Sequence, residues 1–126
     1  MQKEAGPGVF VGSYLRHSAL FPRASLIVHH GGVGTSGQAM RAGRPQLVTP
    51  YLREQQDNAA RLKRLGVARV LPGWRVTAAA LERELAALRG GAAYAANAQA
   101  VAAKVAEEDG AAVAARRIVK IVHALQ

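Results

Sequence analysis

Apolar residues along this chain fall into two regimes: short dense runs in the first half, and a wider helical spacing in the second. Four runs are β-prone: Val9-Phe10-Val11, Leu26-Ile27-Val28, Gln46-Leu47-Val48-Thr49 and Ala68-Arg69-Val70-Leu71. Helical patterns alternate with them. A short helix fits Ser18 to Arg23, limited by Pro22. A second fits Thr35 to Ala42, closed by Gly43, and a third fits Glu54 to Leu65, with Ala59, Leu62 and Leu65 inward and Gly66 as its stop. Strands alternating with helices predict an α/β fold with a parallel sheet of about four strands. After Pro72-Gly73 the pattern is helical throughout. Thr77 is a good N-cap for a helix carrying Leu81, Leu85 and Leu88 on one face. An alanine-rich helix follows from Ala92 to Glu108. The last helix sets Ile118, Ile121, Val122 and Leu125 opposite Arg116, Lys120 and His123.

Composition narrows the function classes. At 126 residues the chain is one domain at most. It has no cysteine, which excludes disulfides and thiolate metal sites and fits a reducing cytoplasm. No carboxylate pair has a metal-holding spacing, so no metal is expected. No apolar run approaches the ~20 residues of a membrane span, and Met1 to Gly8 lacks the apolar core of a signal peptide. A soluble, cytoplasmic protein is therefore expected. The net charge of +9 favours anionic partners. Its arginines are spread from Arg16 to Arg117, with few aromatic neighbours, such as Tyr14 and Trp74, and no dense basic stripe, which argues against a nucleic-acid surface.

The candidate chemistry is concentrated in Val28-His29-His30-Gly31-Gly32-Val33-Gly34-Thr35-Ser36. A strand running through a glycine turn into a helix gathers free backbone N–H groups and the positive end of a helix dipole, which is an anion site suited to a diphosphate. Gly31 and Gly32 permit positive φ, and Gly34 leaves room for a phosphate oxygen to approach the backbone. Thr35 and Ser36 add hydroxyls in the first helical turn, and His30 is a direct-contact candidate. The competing reading is a plain tight turn with Thr35 as N-cap and His29 packed beside it.

Four ordered segments resemble the donor-binding half of nucleotide-sugar glycosyltransferases with two Rossmann-like domains, the GT-B type. They are Tyr14 to His17, Ile27 to Thr35, Ala42 to Val48, and Pro50 through Glu54 to Ala60. Within that group the chain is most similar to bacterial natural-product and sterol transferases and to UDP-glucuronosyltransferases. The resemblance implies that His30, Gly32, Gly34, Thr35 and Ser36 bind the donor diphosphate, and that Tyr14, Leu15, His17 and Gln38 bind the nucleoside. It implies that Glu54 and Gln55 bind the transferred sugar. Two bland alternatives stand beside these roles: Tyr14 packing on the next helix, and Glu54-Gln55 serving only the helix start. Glu54 stands where most members carry aspartate, and Arg16 where proline is common.

The implied reaction is inverting transfer of a sugar from a UDP- or dTDP-sugar to an acceptor hydroxyl on a small molecule or lipid, without a cofactor. The implied general base lies on an N-terminal domain that this chain lacks, so no catalytic residue is assigned here. By resemblance the chain starts at the third strand of the C-terminal sheet. It is thus expected to be a single partial domain: residues 8–73 as the α/β donor-binding segment and residues 74–126 as C-terminal helices. Unpaired edges would then call for a complementing N-terminal half or a homodimer. The alternatives are an epimerase-like nucleotide-sugar protein, a non-catalytic basic binding module, and an incomplete fragment.

Overall fold

A computed structural model describes residues 6–126. Three short strands, β1 (Ile27–His29), β2 (Gln46–Val48) and β3 (Ala68–Val70), form a parallel sheet in the order β1-β2-β3. Ile27 pairs with Gln46, and Gln46 with Ala68. Each crossover carries one helix, α2 (Val33–Ala42) between β1 and β2 and α3 (Arg53–Arg64) between β2 and β3. A one-turn helix α1 (His17–Leu20) runs into a 3-10 turn at Phe21–Arg23, where Pro22 ends regular helix. After a 3-10 turn at Gly73–Arg75 come α4 (Ala78–Gly90), α5 (Ala92–Ala106) and α6 (Gly110–Ala124).

Alternation along the strands sorts the core into layers. Val48 and Ala68 pack with Ala59 and Leu62 of α3, Val67, and Ala98 of α5 on one face. Leu47 packs with Leu71 and with Ala80 and Leu88 of α4 on the other. Phe21, Ile27 and Ala39 make a third cluster beneath α1 and α2. The Leu81-Leu85-Leu88 face expected of α4 is thus the face that covers the sheet, and Thr77 Oγ1 accepts from Ala80 N–H as its cap.

α5 also fastens the ends of two other helices. Gly43 and Gly66, both at positive φ, terminate α2 and α3. Gln99 Nε2 donates to the Gly43 carbonyl at 3.0 Å, and Asn97 Nδ2 to the Gly66 carbonyl at 3.1 Å.

Some expectations are corrected. Val9-Phe10-Val11 is irregular and exposed rather than a strand, so the sheet has three strands instead of about four. The outer edge of β1, where such a strand would pair, carries no strand among the described residues, and Val28 beside it is 48% exposed. Leu65 is exposed, because α3 has ended and the chain is turning at Gly66. α5 stops at Ala106, because Asp109 turns away to cap α6 by accepting from Ala112 N–H. α6 has the expected two faces, but Ile118, Ile121, Val122 and Leu125 are all exposed. No helix among the described residues is long and apolar enough to cross a membrane.

Candidate functional site

The carboxyl end of β1 leads directly into the glycine turn. His29 and His30 are adjacent but differ in surroundings: His30 is exposed, whereas His29 is half-buried and bonded at both ring nitrogens. Gly31 N–H donates to His29 Nδ1 at 3.0 Å, and His29 Nε2 meets Gln46 Oε1 at 2.8 Å. Burial pushes the His29 pKa down; the bond with Gln46 opposes this, and nearby His30 and His17 reinforce it.

Gly31 is the one residue of this turn at positive φ, +97°, and a Cβ there would meet the Gln55 carbonyl oxygen and Val48 Cγ1 at 3.0 Å. Gly32 has φ −61°, so its requirement is different from the one its sequence suggests: a Cβ would strike the His30 ring at 3.0 Å. Helix α2 therefore starts at Val33, two residues before the expected Thr35, with Gly32 as a cap that uses no side chain. The first helical bond is Ser36 N–H to the Gly32 carbonyl, which leaves the amides of Val33, Gly34 and Thr35 without intrahelical acceptors. A Cβ on Gly34 would meet nothing within 4 Å, so the space before these amides is open.

Ser36 lies elsewhere. Its side chain is buried on the inward face with Ala39, and Oγ has no hydrogen-bond partner, so it sits behind the helix terminus rather than at its mouth. Thr35 is half-buried at that mouth.

The four residues assigned to the nucleoside come together. Tyr14, Leu15, His17 and Gln38 line one cleft of about 410 Å³ with Ser13, Arg16 and Ser18. Tyr14 is 84% exposed and does not pack on a neighbouring helix, and His17 stacks on Phe21 at 4.5 Å. Gln38 is one turn along α2 from Gly34, so the cleft and the free amides share a side of that helix.

The α3 amino terminus closes the other side of the corner. Glu54 is exposed there. Gln55 is buried, and its Oε1 accepts from Tyr51 and Leu52 N–H at 2.9 and 3.1 Å, so its carbonyl is committed to the helix start. Its role as a helix cap is thus realised, and only its Nε2 is left for a ligand. Asn58 Nδ2 donates to the Gly31 carbonyl at 2.9 Å, tying α3 to the glycine turn. Sequence reasoning missed that link, and the only available signal was an amide one turn inside a helix start.

Similarity to known proteins bears on this corner. A family model described as erythromycin biosynthesis protein CIII-like, C-terminal domain, matches residues 3–125. The chain is 38% identical over 117 residues to vancomycin aglycone glucosyltransferase of Amycolatopsis orientalis, covering 93% of this chain and 28% of that protein. It is 34% identical over 106 residues to a sterol 3-beta-glucosyltransferase of Eremothecium gossypii, covering 84% of this chain and 8% of that one. Among solved structures, spinosyn forosaminyltransferase SpnP matches with a TM-score of 0.87 and 27% identity, over 98% of this chain and 33% of that chain. The glycosyltransferase VinC in complex with dTDP matches with a TM-score of 0.76 and 30% identity, over 82% and 26%. The chain spans about a third or less of each of these relatives.

Proposed function

Because the chain belongs to the erythromycin biosynthesis protein CIII-like C-terminal domain family of GT-B glycosyltransferases, we propose that it is the donor-binding segment of an inverting sugar transferase. The donor is a UDP- or dTDP-sugar. The observation that carries this reading is the meeting of exposed His30, three free amides of α2 and the open space at Gly34 beside the Tyr14–Gln38 cleft. In this reading the diphosphate lies against the Gly32–Gly34 turn, where it meets the free amides of Val33, Gly34 and Thr35, His30 and the Thr35 hydroxyl, with Ser36 behind them. The nucleoside occupies the cleft, where Tyr14 offers its ring for stacking and Gln38 the ribose contact. The Glu54 carboxylate and the Gln55 amide take sugar hydroxyls.

Charge grows on the departing diphosphate during transfer. A preorganised donor aimed at that charge contributes about 3 kcal/mol to the transition state. The helix terminus and His30 supply several such donors. The general base and the acceptor site come from a complementing half, which also covers the β1 edge and the apolar face of α6. Residues 8–73 are the α/β part of this segment and residues 74–126 its helical part.

Calorimetric titration with dTDP and UDP tests the proposal. One of the two is expected to bind saturably, with pyrophosphate competing. Loss of a charge-assisted contact in His30→Ala should weaken binding about tenfold or more. The thermal midpoint should stay fixed, because His30 is exposed and bonds to no protein group among the described residues. Failure of both nucleotides to bind, or unchanged binding by His30→Ala, would overturn it. So would steeply salt-dependent, base-indifferent binding, which marks a polyanion surface.

A further inference from the structure

The Gly31 peptide is gripped from two elements at once. Its N–H donates to His29 Nδ1 at the end of β1, and its carbonyl accepts from Asn58 Nδ2 of α3 at 2.9 Å. We infer that His29 and Asn58 are positioning residues that hold the Gly31 peptide so that His30 and the α2 amides form one fixed anion corner. The inference rests on the donor reading above and names two residues that act through the backbone rather than by touching the ligand.

Three observations support it. The turn has little slack at Gly31, since even a methyl group would crowd the Gln55 carbonyl and Val48 at 3.0 Å. Residue 29 is itself anchored: its carbonyl accepts from Thr49 N–H at 2.8 Å, and its ring reaches Gln46, which is fully buried. The ring bonds also fix the tautomer. Nδ1 accepts from an amide and so carries a lone pair, and the proton therefore sits on Nε2 and is donated to Gln46 Oε1. A protonated ring has no acceptor left for Gly31. The groups that act on it are His30 in the following turn and His17 of α1, while β2 presents the uncharged Gln46. Burial favours the neutral, gripping form.

Asparagine is the discriminating replacement. Its side-chain carbonyl accepts readily from the amide two residues on, so His29→Asn keeps the grip on Gly31 without titrating. His29→Leu and Asn58→Leu remove one side each. In dTDP titrations at about pH 7.5, His29→Asn should stay within about threefold of the parent, and each leucine variant should lose about tenfold or more. Acidification below the ordinary imidazole range, far enough to protonate the buried ring, should weaken the parent relative to His29→Asn, since both share His30 and the ligand and only the parent can protonate residue 29.

A second readout is independent of the ligand. Nitrogen NMR of the His29 ring should show the neutral Nε2–H form near neutral pH. Exchange of the Gly31 amide should be slow in the parent and His29→Asn and fast in His29→Leu. A charged His29 ring at pH 7.5, or full dTDP affinity with a protected Gly31 amide in His29→Leu, overturns the inference. Should no form bind dTDP or UDP, the donor reading fails by itself, and the ring and amide measurements decide the positioning role alone.

Discussion

Glu84 stands in the buried stripe of α4, between Leu81 and Leu88, and its carboxylate meets Arg69 Nε at 2.5 Å. Arg69 also donates from Nη1 to Tyr94 Oη at 3.2 Å, so one guanidinium ties β3 to α4 and α5. The hydrogen bond from Arg69 holds the Glu84 carboxyl below the usual carboxylate range, against the effect of burial. A depressed folded-state pKa contributes stability that is complete above the ordinary glutamate value and is lost as pH falls through the lowered one. Glu84→Gln should therefore destabilise the fold at neutral pH by about 1–3 kcal/mol, discounted because Arg69 is partly solvated. Urea unfolding at pH 7 and near pH 4 should show a smaller parent–variant gap at the acid end. Such pairings were only partly legible. The leucine spacing marks the stripe but not the acid within it, and the partners of Asn58 and His29, Gly31 and Gln46, lie 27 and 17 residues away in the chain.

Elements were read more easily than their ends. The strand–helix alternation, both glycine stops and the Thr77 cap all follow from local chemistry that tertiary packing leaves intact. Val9-Phe10-Val11 shows the opposite case, because a β-prone run becomes a strand only when a neighbour supplies hydrogen bonds, and none is beside it here. The early start of α2 depends on Gly31 adopting a conformation closed to other residues. Gly31→Ala combines positive φ with two contacts at 3.0 Å and should cost about 1–3 kcal/mol. Thermal unfolding measures that loss. The equivalent Gly34→Ala change meets no atom within 4 Å, so it should spare stability and reduce nucleotide affinity instead.

At the scale of the whole molecule, the sheet and its helices form a complete layer only over β2 and β3. The edge of β1 and the apolar face of α6 are open. A lone helix of this length is marginal in water. Hydrogen exchange should therefore run faster in α6 than in β2. Co-expression with the preceding part of a full-length relative, its N-terminal half together with the first strands of the C-terminal sheet, should slow exchange in α6 and at the outer edge of β1. Equal protection of α6 in the isolated chain would refute the open-face reading. The open β1 edge was expected only through resemblance, and the open face of α6 was not expected, since nothing local in Ile118 or Leu125 says what lies against them. The grip of α5 has a consequence of its own. Asn97 and Gln99 hold the tails of two helices whose heads, about 15 Å away for α2, meet at the corner beside His30. The pair behaves like tongs joined at the handle: prying at that joint, as in a double Asn97→Ala, Gln99→Ala change, should loosen the jaws without touching them.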